Sequence, residues 1–496
     1  MMRRILAISM LLLVFAPGWG IDILGKFKTE LRLSLTNGDF LFNEINGYLK
    51  FDQQINDNLY ALFQLGVRYI GNPVGKDTLN NILTPQELAW SSTMMPVEIL
   101  VEEVYFTYNN FITEGIDLTV GKQRINWGAA DMFNPTDLMN AGDLSDFLSF
   151  GKKSPSLSLN MIYYFYIIEY QSSIQFVYQP YSPVARINKL LIDTIESELE
   201  GQLLGQITNQ GTSFTNLSSG WLDPIVETPI PSLLGSSFGL RYTLSLGMID
   251  LSANIVSRMN DLPFVRKLEA NMGAEIDLFG GDTNLTLISK SYELAYYHET
   301  EVGLDFTWNN GFFVTWLEVG VFFPGVAVTT AVVDTAVSVI FPPISSNVTV
   351  VQEQPYISNQ AYVKYTLGGD CHFEGGWYLN LQFAHGYFTE RGVSGMERLS
   401  DFLIVHGEKT LFSDKLKLMV TGILNVNTWG DAFGAPDFGA YFASHSGEVL
   451  QLAASYAPSL DLTFTLGVML FDGGAECTIG KMKSYDLVYT SFEYAF

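Results

Sequence analysis

The chain has 496 residues, 48% apolar and 14% aromatic but only 16% charged, against roughly 25% charged in ordinary soluble domains. Its aromatic content excludes a disordered chain, and the lack of any run of about 18 or more apolar residues after the N-terminus excludes helical membrane spans. With 27 Lys and Arg against 52 Asp and Glu, the formal net charge of −25 repels nucleic-acid phosphate and removes that partner class.

Residues 1–20 read MMRRILAISMLLLVFAPGWG. Arg3 and Arg4 give a basic start, Ile5 to Phe15 an apolar stretch, and Gly18-Trp19-Gly20 places small residues at a cleavage site. This pattern predicts a removable export signal, too short to anchor the chain. No Cys follows it, so a lipid anchor is not expected, and the remaining body runs over 21–496. Cys371 and Cys477 are the two cysteines. No C-x-x-C motif for redox or haem chemistry exists, and no disulfide between them is expected.

From residue 21 onward the chain reads as strand after strand. Arg68 falls on an inward position of an early strand, and 71–95 is the first long connection. Segment 121–150 reads GKQRINWGAADMFNPTDLMNAGDLSDFLSF. Gly121, Gln123, Trp127, Gly128, Phe133, Pro135 and Asp137 resemble the G-[RK]-Q-x-x-x-W-G…F-x-P-x-D stretch of bacterial outer-membrane channel proteins, among them relatives of alginate-export porins. The segment 376–417 resembles them in style. That resemblance implies a barrel and transport but no substrate.

Read from its residues alone, the insertion 126–155 is rich in Gly, Asn and Asp, with Asn134 or Thr136 able to cap a short turn. Such a loop can fold inward and narrow a lumen. Lys122 and Arg124 are then candidates to line it, although strict alternation from Leu118 and Val120 places both outward unless Gly121 forms a bulge. Trp127 is either a pore contact or a membrane-interface aromatic.

The longest insertion, 182–235, carries a predicted helix over 186–207, with Ile187, Leu191, Ile195, Leu199 and Leu203 spaced four apart. It is expected as a lid, a plug, a subunit contact or a simple external cover.

Strict alternation then returns. Leu268, Ala270, Met272, Ala274, Ile276 and Leu278 oppose Glu269, Asn271, Gly273, Glu275 and Asp277. Val302, Leu304, Phe306 and Trp308 oppose Glu301, Gly303, Asp305 and Thr307. After a further loop insertion at 324–354, which carries a single charge at Asp334 before Gln352, Leu416, Leu418 and Val420 alternate with Lys415 and Lys417. Leu462, Phe464, Leu466 and Val468 follow Asp461 in the same way. The runs are about ten residues long, as a tilted membrane-crossing strand requires.

The last residues, Ser491-Phe492-Glu493-Tyr494-Ala495-Phe496, resemble the terminal signal of Gram-negative outer-membrane barrels. Phe492, Tyr494 and Phe496 would be read by the assembly machinery.

These elements predict one all-β fold, a single antiparallel transmembrane barrel of 18–20 strands (16 being an alternative), because only helices or closed barrels satisfy every backbone amide in lipid. Counting back from the final strand places the long connections 471–483, 428–446, 388–399, 324–354, 182–235, 126–155 and 71–95 at one end and gives 20 strands. Tight turns such as Asn309-Asn310-Gly311, Gly280-Gly281-Asp282, Ser413-Asp414 and Ile55-Asn56-Asp57-Asn58 fall at the other. Cys371 then sits in a turn and Cys477 in an external loop reachable by thiol reagents.

The expected pore-lining set is Arg68, Lys122, Arg124, Glu269, Glu275, Asp277, Glu301, Asp305, Lys415, Lys417 and Asp461. Its excess of carboxylates favours cations. The expected function is passive diffusion of small hydrophilic solutes or ions. A substrate-specific saccharide or polymer channel, and a structural or adhesive surface barrel, are the alternatives. Expected partners are outer-membrane lipid, the assembly machinery and small hydrophilic solutes, with a homo-oligomer of the chain as a further option.

No enzyme, cofactor or metal is expected. Gly235-Ser236-Ser237-Phe238-Gly239 satisfies G-x-S-x-G but leads into a strand rather than the helix such an elbow needs. The five histidines have no zinc spacing, no phosphate-binding or dinucleotide motif occurs, and no Ser–His pair on adjacent outward strands is identifiable.

Overall fold

The computed structural model describes residues 22–70, 97–131, 133–146, 151–187, 214–216, 225–226, 232–276, 283–339, 344–357, 359–387, 389–392, 399–474, 476–477 and 479–496. The expected export segment 1–20, the insertion 71–95 and residues 188–207 of the expected helix lie outside them.

Eighteen strands form the barrel. They are β1 (Asp22–Ser34), β2 (Phe40–Gln54), β3 (Leu59–Ile70), β4 (Val97–Tyr108), β5 (Ile116–Gln123), β6 (Ser156–Ile167), β7 (Tyr170–Gln179), β8 (Ser237–Ser245) and β9 (Ile249–Met259). The circuit continues with β10 (His298–Asn309), β11 (Phe313–Pro324), β12 (Tyr362–Phe373), β13 (Trp377–His385), β14 (Asp401–Leu411), β15 (Leu416–Val426), β16 (Ser446–Ser459), β17 (Leu462–Gly473) and β18 (Leu487–Ala495). Each pairs antiparallel with the next, and β1 pairs with β18 from Lys26↔Ala495 to Ser34↔Leu487, which closes the sheet and abolishes its edges.

Connections alternate in length as expected. The turns leaving even-numbered strands are short, with side chains that satisfy their own backbone. Asn310 Oδ1 accepts from Phe312 N (3.0 Å) and Phe313 N (2.8 Å), beside Gly311 at φ +88°. Asn56 Oδ1 accepts from Asn58 N and Leu59 N, both at 2.9 Å. At the opposite end, apart from residues 35–39, the connections are long, and 428–446 folds into two short helices, α1 (Trp429–Gly434) and α2 (Phe438–His445).

The faces of the wall are inverted relative to a soluble fold. On β10, Val302, Leu304, Phe306 and Trp308 are exposed while Glu299, Glu301 and Asp305 between them are buried. On β17, Phe464, Leu466 and Leu470 are exposed, and β15 exposes Leu418 and Val420 while burying Thr421 and Asn425. Apolar surface covering strand after strand is far beyond the patches that water-soluble monomers tolerate, whereas lipid accepts it, and a closed ladder leaves no backbone group unpaired there. Phe492 and Tyr494 join this outward face. Phe492 meets Phe27 and Phe464 edge-on, and Tyr494 stacks on Phe496.

Two hairpins stand at the loop end outside the circuit. Phe264–Ile276 pairs with Thr283–Ala295 between β9 and β10, and Ala327–Val339 with Ile344–Ile357 between β11 and β12. The two join in parallel, Lys267↔Thr330 through Ile276↔Val339. Short strands Phe214–Asn216 and Ile225–Val226 extend this rim sheet.

The rim sheet corrects two expectations. The count of 20 strands becomes 18, because 268–276 of the segment read as an alternating strand pairs with Thr283–Ala295 in a rim hairpin outside the circuit. The 324–354 insertion is likewise a strand pair. Leu268, Ala270, Met272 and Ala274 alternate because protein covers them, in a cluster with Val265, Tyr292 and Leu294. The expected turn Gly280-Gly281-Asp282 lies outside the described residues.

Candidate functional site: the infolded loop

β5 ends at Gln123, and the chain then turns into the barrel rather than away from it. Gly128 takes φ +79°, and a Cβ there would meet the Asn134 side chain at 2.3 Å, so the bend needs glycine. Asn134 Oδ1 accepts from Thr136 N (3.1 Å) and Asp137 N (3.0 Å), capping one turn, and its Nδ2 donates to the Trp127 carbonyl (2.8 Å). The loop is thus braced internally before it meets the wall.

Polar anchors then tie it around much of the circuit. Arg32 of β1 donates to both carboxylate oxygens of Asp146 at 2.7 Å, a bidentate pair. Trp127 Nε1 donates to Gln175 of β7 (2.9 Å), and Arg258 of β9 to the Leu138 carbonyl (3.0 Å). Thr136 Oγ1 donates to Asp305 of β10 (2.8 Å), while the amides of Ala129 and Ala130 donate to Glu318 of β11. Thr366 of β12 donates to the Phe133 carbonyl and Asn380 of β13 to Asp131, both at 2.7 Å.

Two apolar clusters complete the clamp. Ile125, Trp127, Leu138 and Met139 pack on Val177, Val256, Phe322 and Tyr362 of the wall. Phe133 packs with Phe402, Ile404 and Phe471 on the other side. Trp127 is therefore a lumen residue, not a membrane-interface aromatic.

Within the folds of the loop itself lies a cavity of about 200 Å³ lined by Arg124, Asn126, Asp131, Asp137, Lys152 and Lys153 among others. Its charges are partly matched. Lys152 Nζ is 2.9 Å from Asp143, and Arg124 is 3.4 Å from Asp137. Burial pushes the Asp137 carboxyl above its ordinary range, against the pull of Lys153 and Arg124. Burial opposes ionisation of Asp261 as well, but Arg258, Lys153 and the Gly142 amide outweigh it and hold that carboxyl low.

The expected lining residues divide. Arg68 (paired with Glu44), Glu301, Asp305 and Lys417 (2.9 Å from Glu408) stand on the inner face, and Arg124 lines the cavity. Lys122 points outward: its cross-strand partner Leu157 is lipid-facing, and its Nζ donates to the Val101 carbonyl at 2.5 Å. Gly121 does take φ +140°, yet Gln123 keeps the inward phase. Lys415 and Asp461 sit in turns, because alternation continues past the last ladder pair. Glu269 and Glu275 are on the rim hairpin, not the wall, and Asp277 lies outside the described residues.

Sequence reasoning missed Glu318 and Arg258, which bond the loop, Arg241, whose guanidinium lies over the Trp127 ring, and Glu299, which accepts from Arg258. Their alternation with apolar neighbours was the signal available.

The structure also supplies a Ser–His pair that the sequence did not reveal. Ser257 Oγ and His298 Nε2, on adjacent outward positions of β9 and β10, are 3.0 Å apart. Among the described residues no carboxylate hydrogen-bonds the other ring nitrogen, so the orienting member of a triad is lacking. Ser237 of the G-x-S-x-G stretch is buried and pairs with Ser182 Oγ (2.8 Å) at the start of β8. Both cysteines are buried thiols outside any disulfide. Cys371 falls in β12 just before the turn, and Cys477, expected to be reachable from outside, donates instead to Asn425 Oδ1 at 2.8 Å beneath the loop end.

No family model and no curated protein matches the sequence. Among solved structures the chain is similar to OccD3 (OpdP) of Pseudomonas aeruginosa, at 10% identity over 97% of this chain and 93% of that one, with a TM-score of 0.46. OccK9 (OpdG) of the same organism gives 7%, 96%, 97% and 0.47. OmpF of Salmonella typhi in complex with daunomycin gives 10%, 97%, 98% and 0.36. At these values the barrel assignment stands on the strand pairing described above.

Proposed function

We propose that the protein is an outer-membrane channel for passive diffusion of small hydrophilic solutes or ions, with the infolded loop as its constriction. The observation that carries this reading is the combination of an apolar outward belt with a polar, charged inner wall, spanned by a loop bonded to seven of the wall strands. Permeation needs no chemistry; it follows from the space left beside the loop and the charges around it.

The channel favours cations. On β10 and β11 the carboxylates Glu299, Glu301, Asp305 and Glu318 cluster on the inner wall, where Arg241 and Arg258 pair with Asp305 and Glu299, in a chain of net charge −25. Phe492, Tyr494 and Phe496 serve as the assembly signal. Planar-bilayer recording tests the proposal. Stepwise currents whose reversal potential in a KCl gradient shifts toward that of K⁺ are expected, and an inserted barrel without conductance sinks it. The rim sheet favours a second reading in that event, a surface mount whose working part is the sheet.

A further inference from the structure

At the loop end of β13 to β16, residues that point out of the barrel are buried. The inward phase there is fixed by Ala384, Phe402, Ile423 and Val449, which pack with Phe133 of the infolded loop. Their chain neighbours His385, Asp401, Val426 and Ser446 form one row of cross-strand partners and take the outward phase. Further down the same outward face Leu381, Val405, Val420 and Leu450 are exposed, yet Asp401 is 6% exposed, Val426 0% and Ser446 5%.

The 428–446 connection folds back over this row on the outside of the wall. Asp401 Oδ2 accepts from Trp429 N at 2.9 Å, and His385 Nδ1 lies 2.7 Å from Asp401 Oδ1. One carboxylate thus seats the start of α1 on the barrel. α2 runs back to Ser446, whose Oγ donates to the Phe442 carbonyl at 2.6 Å.

The two helices carry a circuit of stacked aromatics. Ring centroids are 5.7 Å apart between Trp429 and Phe433, between Phe433 and Phe438, and between Phe438 and Phe442. Trp429 and Phe442 close the circuit at 6.0 Å. Phe433 is nevertheless 74% exposed and Phe438 43%. Large rings held in water forfeit the burial that stabilises them elsewhere. The height of the shelf supplies their solvent. β15 has 11 residues and starts from a tight turn at the opposite end, and about 9–11 tilted residues cross the hydrocarbon core. Val426 therefore stands at the membrane boundary, and the shelf above it continues the lipid-facing belt. Over 428–446 the charged residues are Asp431 and Asp437, with no Lys or Arg to meet a headgroup phosphate.

We propose that the α1–α2 shelf is a lipid-docking surface, which inserts Phe433 and Phe438 among the acyl chains of the leaflet around the loop end. It is an interfacial helix pair hung on Asp401, separate from the aromatics of the strands themselves. The reading rests on the barrel spanning a membrane and not on conduction.

The test uses the full chain in phosphatidylcholine vesicles, with bimane attached at Phe433→Cys or, separately, at Phe438→Cys. The native chain, whose two thiols are buried, is the labelling blank, and heat-modifiable gel mobility establishes that each variant is folded. Replacing the lipid by phosphatidylcholine brominated along its acyl chains is expected to lower the emission about twofold or more, while aqueous iodide leaves it little changed. Asp401→Ala, which frees the Trp429 amide, is expected to weaken the bromine effect at Phe433→Cys. Quenching by iodide instead of bromine overturns the proposal. So does emission insensitive to both, which is the outcome if a second copy covers the shelf. An unchanged bromine effect in Asp401→Ala overturns the seating by that carboxylate. A barrel that conducts while its labels answer to iodide strikes this inference and leaves the channel reading standing.

Discussion

Individual side chains on the inner wall work as paired charges, and their removal should be felt as buried imbalance. Arg258 lies within 2.8 Å of Glu299 and 3.6 Å of Asp261 while holding the Leu138 carbonyl. Arg258→Ala leaves two carboxylates without their cation, at a cost of about 3–5 kcal/mol, measurable as a lower temperature for the heat-modifiable gel shift. Gly239→Ala drives a Cβ to 2.6 Å from the Trp127 ring and 2.7 Å from Met139 Sδ, and such overpacking costs about 1–3 kcal/mol. Asp137 gives a pH-dependent test. Its carboxyl is raised by burial, so the folded chain holds that proton more tightly than the unfolded one. The associated stability is present at acid pH and declines as pH rises through and above the usual carboxylate range. Asp137→Asn should therefore be more stable than the native chain near neutrality, with the difference vanishing below about pH 4; an equal gap at both pH values would contradict this. The inward phase of Glu301 and Asp305 was legible because both alternate with Val302, Leu304 and Phe306 with no break in the ladder. Lys415 and Asp461 were misplaced because alternation in sequence carries no mark of where pairing stops.

Among the elements, the infolded loop is the most consequential. Glu318 accepts from the amides of Ala129 and Ala130 together, so it holds the centre of the loop rather than one residue. Glu318→Gln should leave insertion intact and raise the open-channel noise, and excision of 128–137 should raise single-channel conductance severalfold. Unchanged conductance after excision would show that the loop is not the narrowest point. The loop's inward course was foreseeable from its composition and from Asn134, but its attachments were not. Those depend on which strands the closed barrel brings opposite it, and partners such as Asp305 and Glu318 lie well over a hundred residues away. The rim hairpin 264–295 shows the reverse problem. Its strands alternate as cleanly as any in the wall, because period two records that one face is covered and says nothing of whether lipid or protein covers it.

For the whole molecule, the closed circuit makes the rim sheet separable. Met259 of β9 already pairs with His298 of β10, so replacing 260–297 by a two-residue turn joins two strands that are neighbours in register. The shortened chain should still give a heat-modifiable, detergent-dependent barrel, whereas loss of folding would show that the rim sheet belongs to the barrel's own stability. The two cysteines should give no mobility difference between reduced and oxidised samples. The parallel ladder between 267–276 and 330–339 also carries a temporal implication. Those partners are separated along the chain by β10 and β11, and ladders between distant segments form slowly because the intervening chain must first be ordered. Maturation therefore has two clocks: a rapid zippering of neighbouring hairpins around the ring, and a later docking of the two crests above it, which pulsed protection of backbone amides would resolve as separate phases.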